Sequence, residues 1–210
     1  FMALMLSGLA GSLVSARNAQ EVLSKVDRHY FIENKGQWPS EVLFLARLGG
    51  MEVWITKWGV SYDFYRIEGE RREPLRRWEG MEREAEGRRI GHVVHLRYQG
   101  ANPHPVPEGR EKLSGYHNYF IGNDPSRHAT NVGLYGEVWV KGLYPGIDVR
   151  YYFDGGWVRY DYVVGAGVDV GQIAFAVEGV EGVRIDGGDD LVLRTVVGEV
   201  RIGEMRSYQG

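Results

Sequence analysis

The sequence predicts a mainly β protein: antiparallel strands joined as hairpins into a β-sandwich or two packed sheets, with a short N-terminal helix. Three observations carry this. From residue 31 onward, short runs alternate apolar and polar residues, the period of a strand with one buried face. The 30 glycines fall mostly between these runs, where turns need them. The 13 tyrosines and 6 tryptophans favour strands over helices. With 210 residues, the chain can bury a substantial core. It divides into an apolar N-terminal segment, 1–30, and a β-rich domain, 31–210, with a charged insert at 67–90.

The elements follow in order. The opening FMALMLSGLAGSLVSA (1–16) is uncharged and too short for a comfortable membrane span, which needs about 20 apolar residues. It reads as a secretory signal, with Val14-Ser15-Ala16 as a small-residue cleavage site. The alternative is an assembly helix, since Gly8, Ala10, Gly11, Ser12 and Ser15 would allow close helix contact. Ala19, Val22, Leu23 and Val26 have helical spacing, so a short helix is predicted over 18–27.

Strands are predicted at 42–48, 51–56 and 60–66, separated by Gly49-Gly50 and by Lys57-Trp58-Gly59. The insert at 67–90 carries seven acidic and seven basic side chains, which balance, so it reads as a solvated segment. A strand at 92–98 precedes a surface loop marked by Pro103, Pro105 and Pro107. Further strands are expected at 117–122, 137–141, 147–154, 157–164, 172–178, 182–185, 190–195 and 198–203.

One hairpin can be registered from sequence. Gly155-Gly156 is a natural two-residue turn, because both positions can take positive φ. That turn pairs Asp154 with Trp157, Tyr152 with Arg159, Arg150 with Asp161, and Asp148 with Val163. Val149, Tyr151, Phe153, Val158, Tyr160 and Tyr162 then share the opposite, apolar face.

Several stretches, in order, resemble one bacterial family: FIENKGQWPSEVLF (31–44), NYFIGNDPSRH (118–128), VWVKGLYPGIDVRYY (138–152), RYDYVVGAGVDVGQIAF (159–175) and VVGEV (196–200). The family is that of secreted surface proteins in which this β-rich domain stands ahead of SBBP repeats or a gliding-motility-type sorting domain. The resemblance implies an exported extracellular domain held at the cell surface. It brings no catalytic residues. Relatives continue past residues 205–209 with further strands, so an incomplete last sheet is expected here.

Composition narrows the chemistry. A net charge of −3 offers no basic face for nucleic acid. With no cysteine, disulfides and thiolate metal sites are excluded. His92 and His95 are three apart in a strand and face opposite ways, so they do not share a metal. His29, His104, His117 and His128 lie in separate segments. Asp148 and Asp161 share a sheet face, as a glycosidase pair would, but Asp161 is expected to pair with Arg150 instead. Asp186-Gly187-Gly188-Asp189-Asp190 could hold calcium, although a hairpin turn explains it equally well. In Asn34-Lys35-Gly36-Gln37-Trp38, the tryptophan could stack on a sugar but reads better as a cap on the core. No catalytic, cofactor-binding or metal-binding residue is assigned.

The expected function is a non-catalytic extracellular structural or interaction module, a self-assembling cell-surface or filament subunit. The alternative is a carbohydrate-binding or adhesive domain of a larger secreted protein. Expected partners are other copies of the chain and, second, surface glycans. Nucleic acid is not expected, and a membrane is met only during export.

Overall fold

The structure, a computed structural model, describes residues 2–6, 29–68, 88–186, 190–196, 198–203 and 205–209. It is almost entirely antiparallel β. The strands are β1 (Met2–Leu6), β2 (Phe31–Glu33), β3 (Val42–Leu48), β4 (Met51–Thr56), β5 (Gly59–Glu68), β6 (Arg88–Tyr98), β7 (Val106–Phe120), β8 (His128–Tyr144), β9 (Ile147–Asp154), β10 (Trp157–Val164), β11 (Phe175–Glu178), β12 (Gly182–Ile185), β13 (Leu191–Thr195), β14 (Gly198–Ile202) and β15 (Met205–Gln209). The helix expected over 18–27 lies outside the described residues, and Met2–Leu6 is a strand along β10.

The expected sandwich is realised as one curled sheet. Twelve strands run in the order β11-β6-β5-β4-β3-β2-β8-β9-β10-β1-β15, with β7 beside β8, and β12-β13-β14 form a separate three-stranded sheet. Strand β8 is the junction. Tyr135 pairs with Lys112 of β7 and Phe31 of β2, while Glu137 pairs with Arg110 of β7 and Tyr152 of β9. So β7 follows one side of β8, and β2 and β9 share the other. The sheet therefore divides into two wings that curl toward each other.

The wings meet over the main core. Phe44, Val53, Ile55, Val60 and Leu96 from one wing pack with Val138, Val149, Tyr151, Tyr160 and Tyr162 from the other, and Leu193, Val200 and Ile202 of the small sheet close the end. The Tyr98 and Tyr151 hydroxyls hydrogen-bond at 2.8 Å, joining β6 to β9 although these strands are far apart in sheet order. Tyr144 donates its hydroxyl to Ala174 O at 2.9 Å and so ties the end of β8 to the segment before β11.

A second, smaller core lies on the other face of β2. Successive strand residues point to opposite faces, so Phe31 enters the main core while Ile32 packs with Ala129, Val132 and Leu134 under Tyr30, Trp38, Leu113 and Tyr119.

The Gly155-Gly156 hairpin has the register read from the sequence, with Asp154 opposite Trp157 and Arg150 opposite Asp161. Both glycines have positive φ, +58° and +84°. Elsewhere the strands outrun their sequence signal. The loop expected around Pro103, Pro105 and Pro107 gives way to β7 at Val106, and Pro107 is tolerated because only one side of β7 is paired. The charged insert begins later than expected, since Arg66, Ile67 and Glu68 pair with Ile90, Arg89 and Arg88, and residues 69–87 are outside the described set. Over 172–178 the expected strand is shorter, because Val170–Gln172 is a 3-10 turn and β11 begins at Phe175.

Candidate functional site

The outer face of β4, β5 and β6 carries an open groove of about 530 Å³. Cross-strand pairing assembles it: Trp54 lies opposite Ser61, and Ser61 opposite His95. Asp63, Val93 and Arg97 share this face, and Glu41 and Trp58 stand at the rim. Strand parity makes this arrangement. Val53, Ile55, Val60, Val94 and Leu96 point inward to the core, so their chain neighbours must point out.

The turn at Lys57-Trp58 is held tightly. Thr56 donates its hydroxyl to Gly59 O at 3.0 Å and accepts from Trp58 N at 3.2 Å. Trp58 O accepts from Tyr98 N at 2.9 Å, and Lys57 N donates to Glu41 O at 2.9 Å. Gly59 has φ +141°, and a Cβ there would stand 1.9 Å from Leu96 O, so only glycine fits. The backbone of Trp58 is thus fixed, while 46% of the residue is exposed. The ring therefore stands at the rim from a turn whose backbone need not reorganise on binding.

The polar groups of the groove are sorted by partner. Ser61 Oγ and His95 Nδ1 are 2.7 Å apart. The charges are mostly paired within the protein: Arg89 donates to Asp63 at 2.6 Å, and Arg97 to Glu178 at 2.6 Å. Among the described residues, no hydrogen bond engages His95 Nε2 or the indole N–H of Trp54 or Trp58. The groove therefore offers aromatic faces and neutral hydrogen-bonding groups to a ligand.

The residues weighed from the sequence fall elsewhere. His92 bonds Gly179 O from the opposite face of β6 to His95, so the two do not converge. Among the described residues, no three of His, Asp and Glu are placed to hold a metal. Asp148 is engaged by Lys141 Nζ at 3.0 Å and Gly142 N at 2.7 Å. Asp161 accepts from the Tyr152 hydroxyl at 3.3 Å, with Arg150 at 3.9 Å. Arg150 thus makes the expected ion pair and also reaches Glu137, at 2.5 Å, a partner on β8 that hairpin reasoning alone does not reveal. In the acidic loop, Asp186 N donates to Asp190 O and both carboxylates face Arg201, at 2.5 and 3.9 Å, while residues 187–189 are outside the described set.

Trp38 caps the second core, edge-on to Trp54 at 5.4 Å and to Tyr119 at 5.5 Å. Its loop is laced by its own polar side chains. Asn34 Nδ2 donates to Pro39 O and Val42 O at 2.9 and 2.8 Å, and the buried Gln37 donates to Glu33 O at 2.7 Å. These contacts give the Asn34-to-Trp38 stretch a structural reason. The groove beside it was missed because its members come from three strands and a turn; the available signal was the outward parity of Trp54, Ser61 and His95.

No helix among the described residues is long and apolar enough to cross a membrane, which leaves β-barrel insertion unaddressed. A family profile described as a domain of unknown function (DUF7948) matches residues 31–210. No curated protein and no solved structure matches the chain.

Proposed function

The chain belongs to the DUF7948 family, a domain of unknown function, so its role must come from its own surface, and we propose a non-catalytic extracellular interaction module that binds through the β4–β6 groove. The carrying observation is that Trp58, on a held turn, Trp54 and the Ser61–His95 pair line one groove on a sheet face backed by the main core. A largely pre-formed surface that presents aromatic rings beside a few polar groups suits binding. Extracellular placement is supported by the signal-like opening and by the likeness to secreted SBBP-repeat and gliding-motility-type surface proteins.

The test is co-sedimentation of the purified protein with a bacterial cell-envelope fraction, together with antibody labelling of intact expressing cells. Binding is expected and should be lost in the Trp58→Ala, His95→Ala double variant. Equal sedimentation of that variant would refute the groove as the binding face, and labelling only after lysis would refute surface display.

A second reading, self-association into a surface layer or filament, has its own support. Strand β1 extends the sheet at β10, with Met2, Leu4 and Leu6 opposite Val164, Tyr162 and Tyr160. Backbone ladders do not depend on which chain supplies the strand. Deleting residues 1–16 tests this by electron microscopy: loss of polymers supports it, and polymers formed equally well without them, or a full-length monomer at high concentration, rule it out.

A further inference from the structure

We propose that the ligand of the β4–β6 groove is a neutral carbohydrate, an inference that rests on the groove being the binding face.

The chemistry of the lining selects this class. A pyranose ring has one or two apolar C–H faces and a rim of hydroxyls. The first needs an aromatic plane and the second needs mixed donors and acceptors. The groove supplies both, with Trp54 and Trp58 as the aromatic surfaces and Ser61 and His95 as the polar groups. Trp58 presents its ring on a locked backbone, and Trp54 is braced edge-on by Trp38, itself braced by Tyr119. Rigid aromatic groups with few torsions to freeze are the economical way to hold a hydrated, flexible ligand.

Charge selects neutrality. Asp63 is bound to Arg89, and Arg97 to Glu178, both at 2.6 Å. An acidic glycan would have to compete with Asp63 and Glu178 for those arginines and would also meet Glu41 at the rim. A basic peptide would have to displace the arginines themselves. A neutral polyol disturbs neither pair. The volume of about 530 Å³ is that of a small-molecule site, which typically spans roughly 300–1,000 Å³.

The polar pair also has an orientation. Ser61 and His95 share one hydrogen bond through Nδ1, and no hydrogen bond among the described residues engages Nε2. If Ser61 donates, Nδ1 is the acceptor and Nε2 carries the proton, so His95 offers a donor. The reverse arrangement offers an acceptor. Either matches a sugar hydroxyl, which can do both.

The experiment is titration of the purified chain with neutral oligosaccharides of glucose, mannose, galactose and N-acetylglucosamine, followed by tryptophan fluorescence and calorimetry. A parallel series uses uronic-acid oligosaccharides and an acidic and a basic peptide. At least one neutral series is expected to bind with little dependence on salt, because no net charge is exchanged. Trp58→Ala is expected to weaken that binding roughly five- to tenfold, as loss of one ring contact implies. His95→Gln, which keeps hydrogen-bonding capacity, should weaken it less than His95→Ala. Neutral-glycan binding untouched by Trp58→Ala would overturn the site. Tighter binding of uronic-acid chains or of either peptide would overturn the ligand class. If no neutral glycan binds while envelope binding still depends on Trp58 and His95, the carbohydrate assignment fails and the interaction module stands. If envelope binding is absent as well, both fail.

Discussion

Arg150 stands opposite Asp161 in the β9–β10 ladder, yet its guanidinium lies 2.5 Å from Glu137 on β8 and 3.9 Å from Asp161. The neighbour in the hairpin is the farther partner. Glu137 is 7% exposed and is also bonded by the Trp139 indole, while Asp161 is 1% exposed. One partly exposed arginine therefore faces two buried carboxylates, and removing it should be costly. Arg150→Met is expected to destabilise the fold by about 2 kcal/mol or more, below the 3–5 kcal/mol of a fully buried pair because the arginine retains solvent contact. Arg66→Met, which breaks an exposed ion pair with Glu68, should cost under about 1 kcal/mol. Urea unfolding of the two variants checks this, and equal midpoints would contradict it.

Gly59 and Gly155 separate two kinds of glycine requirement. At Gly59 a side chain collides with Leu96 O as well as adopting a positive φ, whereas at Gly155 a Cβ meets nothing within 4 Å. Gly59→Ala should cost about 3 kcal/mol or more and also displace Trp58. Gly155→Ala should cost about 1 kcal/mol, the backbone penalty alone. Thermal unfolding with near-UV circular dichroism reads both effects.

Trp58 at the groove rim and Trp38 over the second core should behave oppositely. Trp58→Ala is expected to cost under about 1 kcal/mol, because nearly half of the residue is exposed and it belongs to neither core cluster. Trp38→Ala should cost about 2–4 kcal/mol, because it uncovers the second core and removes the brace on Trp54. Similar losses for the two would mean that Trp58 is structural.

Alkaline pH should unfold the protein cooperatively. Burial pushes the Tyr98, Tyr151, Tyr160 and Tyr162 hydroxyls well above the usual tyrosine value, and the hydrogen bond from Tyr98 offsets only part of this at Tyr151. A folded-state pKa raised above the unfolded one gives stability that is fully present below the unfolded value of about 10. That stability falls as pH rises above this value, because the unfolded chain releases protons that the folded chain retains. Tyrosinate absorbance should therefore rise in two stages: exposed rings first, then the buried set together with loss of β circular dichroism. A single smooth titration with the fold intact would contradict this.

Tyr151→Phe tests the link between the wings. It removes the 2.8 Å hydrogen bond to Tyr98, whose hydroxyl then keeps Tyr162 as its partner. The expected cost is about 1–3 kcal/mol. The Tyr98→Phe, Tyr151→Phe double variant should lose less than the sum of the singles.

The sequence by itself determined what local chemistry controls. Alternation located most strands, because each has one buried face. The Gly155-Gly156 turn set the β9–β10 register through Asp148 and Val163, because a two-residue turn leaves no freedom in the pairing. It also separated His92 from His95, because strand parity is a property of the backbone. Tertiary structure alone decided the rest. No strand is expected over 128–136 from the sequence, yet these residues extend β8, because β7 pairs along one side and β2 meets the other at Leu134 and Tyr135. Pro107 sits in a strand because that strand is paired on one side only. Arg150 gains Glu137 as a second and nearer partner because β8 lies alongside β9, which no turn signal announces. Trp54, Ser61 and His95 become one groove because three strands fall into register, and Trp58 joins them because Gly59 and Leu96 pin its turn. Each of these depends on contacts between residues far apart in the chain, and burial over the whole curled sheet, rather than any local preference, selects them.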